Sequence, residues 1–381
     1  MRFVVPLAIV LAAKLVGGLI LYQVLGMERS NTYWMSVSWN NHGQNQVLSA
    51  GASTGAKWPY LFLGWDSAWY LSIAEKGYTF SDQSYAFFPG LPLLIRLADQ
   101  VFHDPSVSAV SLSILLGMAW IPLFQLVAEA YMDRGRALGS ALLCSFLPYV
   151  FLFTTVVYGE GLFLLSSLGA WVLLKRGRVR PAMLVASMAV VTRPTGLVIL
   201  LPALIEILRV GGLLRRRSLL YALIPVSCFF AWLSYCGAVF GDWYAPFNRS
   251  EWNNMRSLPA LSYTVVFQGK IEALSESMQT YPFPLSWAIF LPLTILLIYY
   301  LSKMDRSLSF YSTAYFLGIV AFGALASVPR FMSFLFPIWL PLTSRLVSAR
   351  HSKLLTLLTC VSFYLVGLFL WYSFLNGEFV S

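Results

Sequence analysis

Residues 65–96, WDSAWYLSIAEKGYTFSDQSYAFFPGLPLLIR, form a polar and aromatic interruption between long apolar runs. The stretch carries Asp66 beside Trp65, Trp69 and Tyr70. Aromatic rings gather at the headgroup level of a bilayer, where a carboxylate can face water and substrate together. The stretch therefore reads as a site rather than a linker.

Working outward, the chain is 58% hydrophobic, 16% aromatic and only 11% charged over 381 residues. A soluble globular protein carries about 25% charged residues, so this composition belongs to a polytopic membrane protein. The net charge of +10 would suit a nucleic-acid partner only if the basic residues clustered on a solvated face. Here they are parcelled between apolar runs, which excludes that partner and points to membrane topology.

Apolar runs lie near residues 5–25, 106–130, 137–153, 160–174, 181–192, 195–209, 218–240, 284–302, 308–326, 331–346 and 354–374. They predict about eleven transmembrane helices, within a range of about 9 to 12. The two runs that meet at Arg193-Pro194 are shorter than the ~20 residues of a full span and imply a break there. The run at 3–25 is long enough to cross, with few basic residues ahead of it and no small-residue cleavage site, so a retained first helix is expected. Residues 87–102, interrupted by Pro89, Gly90, Pro92, Arg96 and Asp99, predict a membrane-surface or re-entrant helix.

The connections at 133–136, 175–180, 209–217, 303–306 and 345–353 hold most of the 26 Lys and Arg residues, which makes them cytoplasmic. The opposite face then receives a large first loop over 27–105, a second over 241–284, and the turns at Glu160, Arg193 and Arg330. The expected architecture is an all-α polytopic membrane protein, one integral domain over residues 1–381.

Asp66 is the leading candidate for a general base, although Asp before Ser-Ala-Trp-Tyr-Leu also fits a helix N-cap. Glu160 ends an apolar hairpin, where an unpaired carboxylate is costly, so it needs a partner such as Tyr158 or an arginine. Arg193 and Arg330 stand next to prolines; each offers a planar charged fork to a phosphate, or pairs with an acid or snorkels. In the second loop, Asp242 and Trp243 begin a mix of rings and polar groups of the kind that binds sugars, although a Gly-Asp turn is also ordinary loop chemistry. Asn248-Arg249-Ser250 is formally a glycosylation sequon. The four cysteines and three histidines are scattered without metal-ligand spacing, and no phosphate-cradling GxxxxGK[ST] sequence occurs. No metal and no cofactor is expected.

Four pieces of the chain carry a family resemblance: Trp65-Asp66 through Gly77-Tyr78 to Ala86-Phe87-Phe88-Pro89; Tyr158-Gly159-Glu160; Thr192-Arg193-Pro194-Thr195-Gly196; and Pro329-Arg330 running into Phe336-Pro337. In this order they resemble the PIG-V family of membrane glycosyltransferases, associated with GPI-anchor biosynthesis and the GT-C fold. The resemblance implies a GT-C-like bundle that transfers mannose from dolichyl- or polyprenyl-phosphate-mannose to a lipid-linked, GPI-like or other extracytoplasmic acceptor. It also implies inversion at the sugar carbon, without a metal.

In that frame Asp66 is the base and Arg193 and Arg330 bind the donor phosphate. Trp65, Tyr70, Glu160, Asp242 and Trp243 contact the acceptor. The partners are the polyprenyl-phosphate sugar, a glycolipid or glycan acceptor and the lipid bilayer; a small membrane-protein subunit is left open. The short chain and minimal loops suit a prokaryotic relative in a plasma membrane, the alternative being the endoplasmic reticulum. Two other readings keep the motifs: another donor sugar on the same scaffold, or a transporter or lipid flippase, to which a broken membrane segment is also natural.

Overall fold

The computed structural model describes residues 3–25, 58–78, 84–209, 218–247, 284–321, 327–376 and 380. Most of the first loop before Trp58, residues 79–83, and the second loop from 248 to 283 with its sequon lie outside the described residues. Those described form helices joined by turns and short 3₁₀ segments, with no strand among them.

In chain order the helices are α1 (Val4–Leu25), α2 (Ser67–Lys76), α3 (Gly90–Phe102), α4 (Pro105–Ala128), α5 (Arg134–Phe146), α6 (Pro148–Phe153), α7 (Glu160–Lys175) and α8 (Val179–Val190). They continue with α9 (Leu200–Arg209), α10 (Leu223–Phe240), α11 (Pro284–Met304), α12 (Arg306–Ala321), α13 (Val328–Ser333), α14 (Trp339–Ser348) and α15 (Ser352–Leu375). Four stretches, Val4–Val24, Pro105–Ala128, Ser218–Phe240 and Ser352–Leu375, are long and apolar enough to cross a membrane. Many of their side chains face outward, Leu15, Leu19, Leu115, Leu220, Leu357 and Phe369 among them. Such a surface is stable only against hydrocarbon or another protein.

Proline sets the places where the apolar runs break. The run at 137–153 divides at Leu147, because Pro148 lacks an N–H and opens α6 as its first residue. The run at 331–346 likewise divides into α13, a 3₁₀ turn at Phe336–Ile338 and α14, with Pro337 at the joint. At the third break Arg193 is extended, φ −163° and ψ 152°, as the residue before a proline prefers, and a 3₁₀ segment Pro194–Ile199 follows. The third break brings Arg193 to Glu160, which Arg330 joins to Asp66.

Helix α3, 13 residues and about 20 Å long, is too short for a hydrocarbon layer of about 30 Å. It buries Leu91 and Ile95 and exposes Leu93, Leu97 and Val101 on its outer side. Its first residue is glycine for a reason of space. The Gly90 N–H donates to the Val191 carbonyl at 2.7 Å, and a Cβ at Gly90 would stand 2.8 Å from that oxygen. Gly117 of α4 lies equally close to the Thr154 carbonyl, with no room for a Cβ. The core between these contacts is largely aromatic, with Trp120, Phe124, Phe151, Phe163, Trp171, Tyr311 and Tyr315 all fully buried.

Candidate active site

Asp66 precedes α2 in a helical conformation, φ −63° and ψ −16°, and its side chain makes no capping hydrogen bond. The N-cap alternative is therefore not what the carboxylate does. Trp65, just before it, has a positive φ of 49°, a conformation that costs free energy in a non-glycine residue and tends to persist at functional sites. The surrounding chain holds it there. The Asp66 N–H donates to Tyr158 Oη at 3.1 Å, Ser67 Oγ donates to the Val157 carbonyl at 3.0 Å, and the Val157 N–H donates to the Phe62 carbonyl at 2.9 Å.

Four charged side chains from four separate elements meet here. Arg330 of α13 places Nη1 3.7 Å from Asp66 Oδ2 and Nε 3.4 Å from Glu160 Oε1. Arg193 places Nη2 2.9 Å from the same Glu160 oxygen. Glu160, at the start of α7, is 1% exposed, the two arginines 13% and Asp66 26%. Only Asp66 is open enough to meet a substrate freely. The partner that Glu160 requires is thus supplied twice over, and the arginines share one carboxylate rather than standing as free forks.

The pairing is close but oblique. Both Glu160 oxygens, Arg193 Nη1 and Arg330 Nε lack an aligned hydrogen bond among the described residues. Aromatic faces surround the guanidiniums instead. Arg193 lies 4.9 Å from the Phe163 ring centre and 5.6 Å from Phe331, while Arg330 lies 5.0 Å from Phe153, 5.5 Å from Tyr158 and 4.9 Å from Phe331. Phe331 stands against both cations at cation–π distance. Phe153, Phe163 and Phe331 are not distinguished in the sequence, although Phe331 follows Arg330 directly.

Tyr70 packs edge-on against Phe87 at 5.4 Å and Tyr158 at 6.3 Å. Burial first, then the carboxylates of Glu160 and Asp66, push its phenol well above the ordinary value, so it stays a hydrogen-bond donor at neutral pH. Trp69 stacks on Phe87 at 5.3 Å, and Trp65 is half-buried. These rings form one wall of the site.

Asp242 and Trp243 are placed otherwise. Asp242 Oδ1 accepts from the Tyr244 N–H at 2.8 Å, an ordinary turn, and Trp243 is exposed. Among the described residues neither makes a hydrogen bond, ion pair or ring contact with the four charged side chains. Helix α10 approaches the first loop through rings instead, with Trp232, midway along it, 4.8 Å from Tyr78 and 5.8 Å from Phe88. No group of three or more His, Cys, Asp or Glu side chains stands close enough to hold a metal ion among the described residues.

Residues 48–209 match the family model described as Mannosyltransferase (PIG-V). The human GPI alpha-1,6-mannosyltransferase 2 is 33% identical over 146 residues, covering 35% of this chain and 29% of that protein. The Drosophila melanogaster GPI mannosyltransferase 2 is 32% identical over 115 residues, 27% of this chain and 25% of that protein. Each match spans less than a third of the relative. A solved structure of the Archaeoglobus fulgidus oligosaccharyltransferase aligns with 93% of this chain and 52% of that one, at 12% identity and a TM-score of 0.48, too low to assign a fold. Three of the four motif pieces, including Asp66, Glu160 and Arg193, lie inside the matched stretch, and over residues 48–209 the chain matches the PIG-V mannosyltransferase family that its motifs resemble.

Proposed function

We propose that the chain is a multi-pass membrane mannosyltransferase with a GT-C-like bundle, working at the non-cytoplasmic face on a polyprenyl-phosphate-linked mannose. The observation that carries this reading is the meeting of Asp66, Glu160, Arg193 and Arg330 at one end of α7. An acceptor hydroxyl attacks the anomeric carbon of mannose, and the carboxylate of Asp66 takes its proton as the new C–O bond forms. The sugar–phosphate bond breaks with its electron pair going to the lipid phosphate, and the sugar inverts. The step is metal-independent in this reading.

The negative charge that grows on the leaving phosphate falls beside Arg330, whose guanidinium is already held in place between two carboxylates. Glu160 holds both arginines in place, and Arg193, deeper and ringed by Phe163 and Phe331, anchors that carboxylate. The acceptor is a membrane glycolipid or another extracytoplasmic glycan, set against Trp65 and Tyr70. Asp242 and Trp243 stay candidates for acceptor contact, apart from the four charged side chains.

The test is sugar transfer by purified protein in lipid, with radiolabelled polyprenyl-phosphate-mannose and a membrane glycolipid extract, comparing wild type with Asp66→Asn. Transfer by wild type that disappears in a folded variant supports the reaction and the base. Silence of wild type with that donor and with other polyprenyl-phosphate sugars overturns the reading.

A further inference from the structure

Lys14 is the one charged residue of α1, midway along 22 otherwise apolar or uncharged residues. An ionisable group inside a membrane helix is costly and is kept against a specific partner. Here the partner is not a carboxylate. Lys14 is 3% exposed, and its Nζ donates to the Thr154 carbonyl at 2.7 Å and to Thr154 Oγ1 at 2.9 Å. The Phe151 ring lies 5.7 Å away. Two of the three ammonium donors are thus spent on one residue.

Thr154 is where α6 ends, and the residues after it lead straight to the site. Residues 154–159 are buried throughout and end at Glu160. Along them Val157 receives Ser67 Oγ and gives its N–H to Phe62, while Tyr158 receives the Asp66 N–H. Every one of these hydrogen bonds fixes the backbone on either side of Asp66. Gly117 of α4 also packs against the Thr154 carbonyl, with no room for a Cβ. Helix α1 also meets the Asp66 loop directly, with Gly18 facing the Phe62 ring.

We propose that Lys14 is a positioning residue for transfer: held on Thr154, it fixes the 154–159 segment and thereby the place from which Asp66 presents its carboxylate. The inference rests on the mannosyltransferase reading for its kinetic part and on hydrogen-bond geometry for the rest. A merely stabilising lysine would lower the unfolding temperature when removed and leave the chemistry alone. A positioning lysine changes kcat, because a small misplacement of a reacting group is expensive in rate while ground-state binding of the donor is little affected.

The experiment compares Lys14→Met, Lys14→Arg, Thr154→Val and the double variant Lys14→Met/Thr154→Val, in the full chain reconstituted in lipid. Lys14→Met is expected to lower kcat about tenfold or more with the donor KM nearly unchanged. Lys14→Arg should restore part of the rate. Thr154→Val, which removes the Oγ1 contact and keeps the carbonyl one, should reproduce part of the loss, with the double variant no worse than Lys14→Met alone. Amide hydrogen exchange at residues 62–67 and at Val157 should quicken in the same variants, a readout that needs no turnover. A Lys14→Met protein with wild-type kcat and wild-type exchange at 62–67, or losses that simply add in the double variant, overturns the proposal. Wild type that transfers no sugar, with exchange at Asp66 still coupled to Lys14, sinks the mannosyltransferase reading and leaves the positioning role standing.

Discussion

At its first residue α7 brings Glu160 to two arginines and Asp66; at its last, about 24 Å away, Lys175 reaches Glu206 at 3.1 Å and Asp305 at 3.7 Å. Both ends gather two acids and at least one base, yet they are finished differently. Around Lys175 the carboxylates are served by neutral donors: Tyr131 Oη at 2.7 Å and the Leu308 N–H at 3.0 Å to Asp305, and Ser307 Oγ at 3.3 Å to Glu206. Asp305 caps α12 in the process. Around Glu160 the charges meet one another obliquely among aromatic rings, and several polar atoms have no aligned hydrogen bond among the described residues. A cluster whose hydrogen bonds are complete ties helices together; one that is buried and incomplete keeps its free energy for another group, as functional sites do.

The comparison would break first at Asp66. Asp66→Asn should lower kcat for mannose transfer by about 10²- to 10⁴-fold with little change in unfolding temperature, since the side chain caps nothing. Glu160→Gln should cost about 3 to 5 kcal/mol of stability, because it leaves two buried guanidiniums with no shared acid; thermal unfolding in detergent measures it. A variant as stable as wild type would show that the arginines find other partners. Arg330→Lys keeps the charge but loses the fork that spans Asp66 and Glu160. Transfer should fall by about 10- to 100-fold, read as a rise in donor KM together with a fall in kcat. At the other end, Lys175→Met should cost under about 1 kcal/mol and leave transfer unchanged, because the lysine side chain is 39% exposed. A large loss of activity there would erase the distinction between the two ends.

Much of the site was legible before any coordinates. Asp66, Glu160, Arg193 and Arg330 are conspicuous because charge is costly beside apolar runs, and each stands at a break or the edge of a loop. Their mutual pairing was not legible, since it is made by four elements far apart in the chain. The aromatic lining was hidden for the opposite reason: Phe153 and Phe163 sit among 28 phenylalanines, and nothing local marks the ones that face a guanidinium. Lys14 is a single basic residue in an apolar helix, and nothing local marks its partner Thr154, 140 positions away. Asp242 and Trp243 stand apart from the four charged side chains, and their polar and aromatic composition describes an interfacial turn as well as a binding surface. The continuous runs at 137–153 and 331–346 counted hydropathy and gave too little weight to Pro148 and Pro337, where the backbone cannot continue its hydrogen bonds.

The contact between Gly90 and the Val191 carbonyl bears on what change the protein can accept over generations. Backbone meets backbone there with no side chain between, so even alanine is excluded at the head of α3. The head of α3 is thereby tied to the backbone two residues before Arg193, and this place in the fold admits glycine alone.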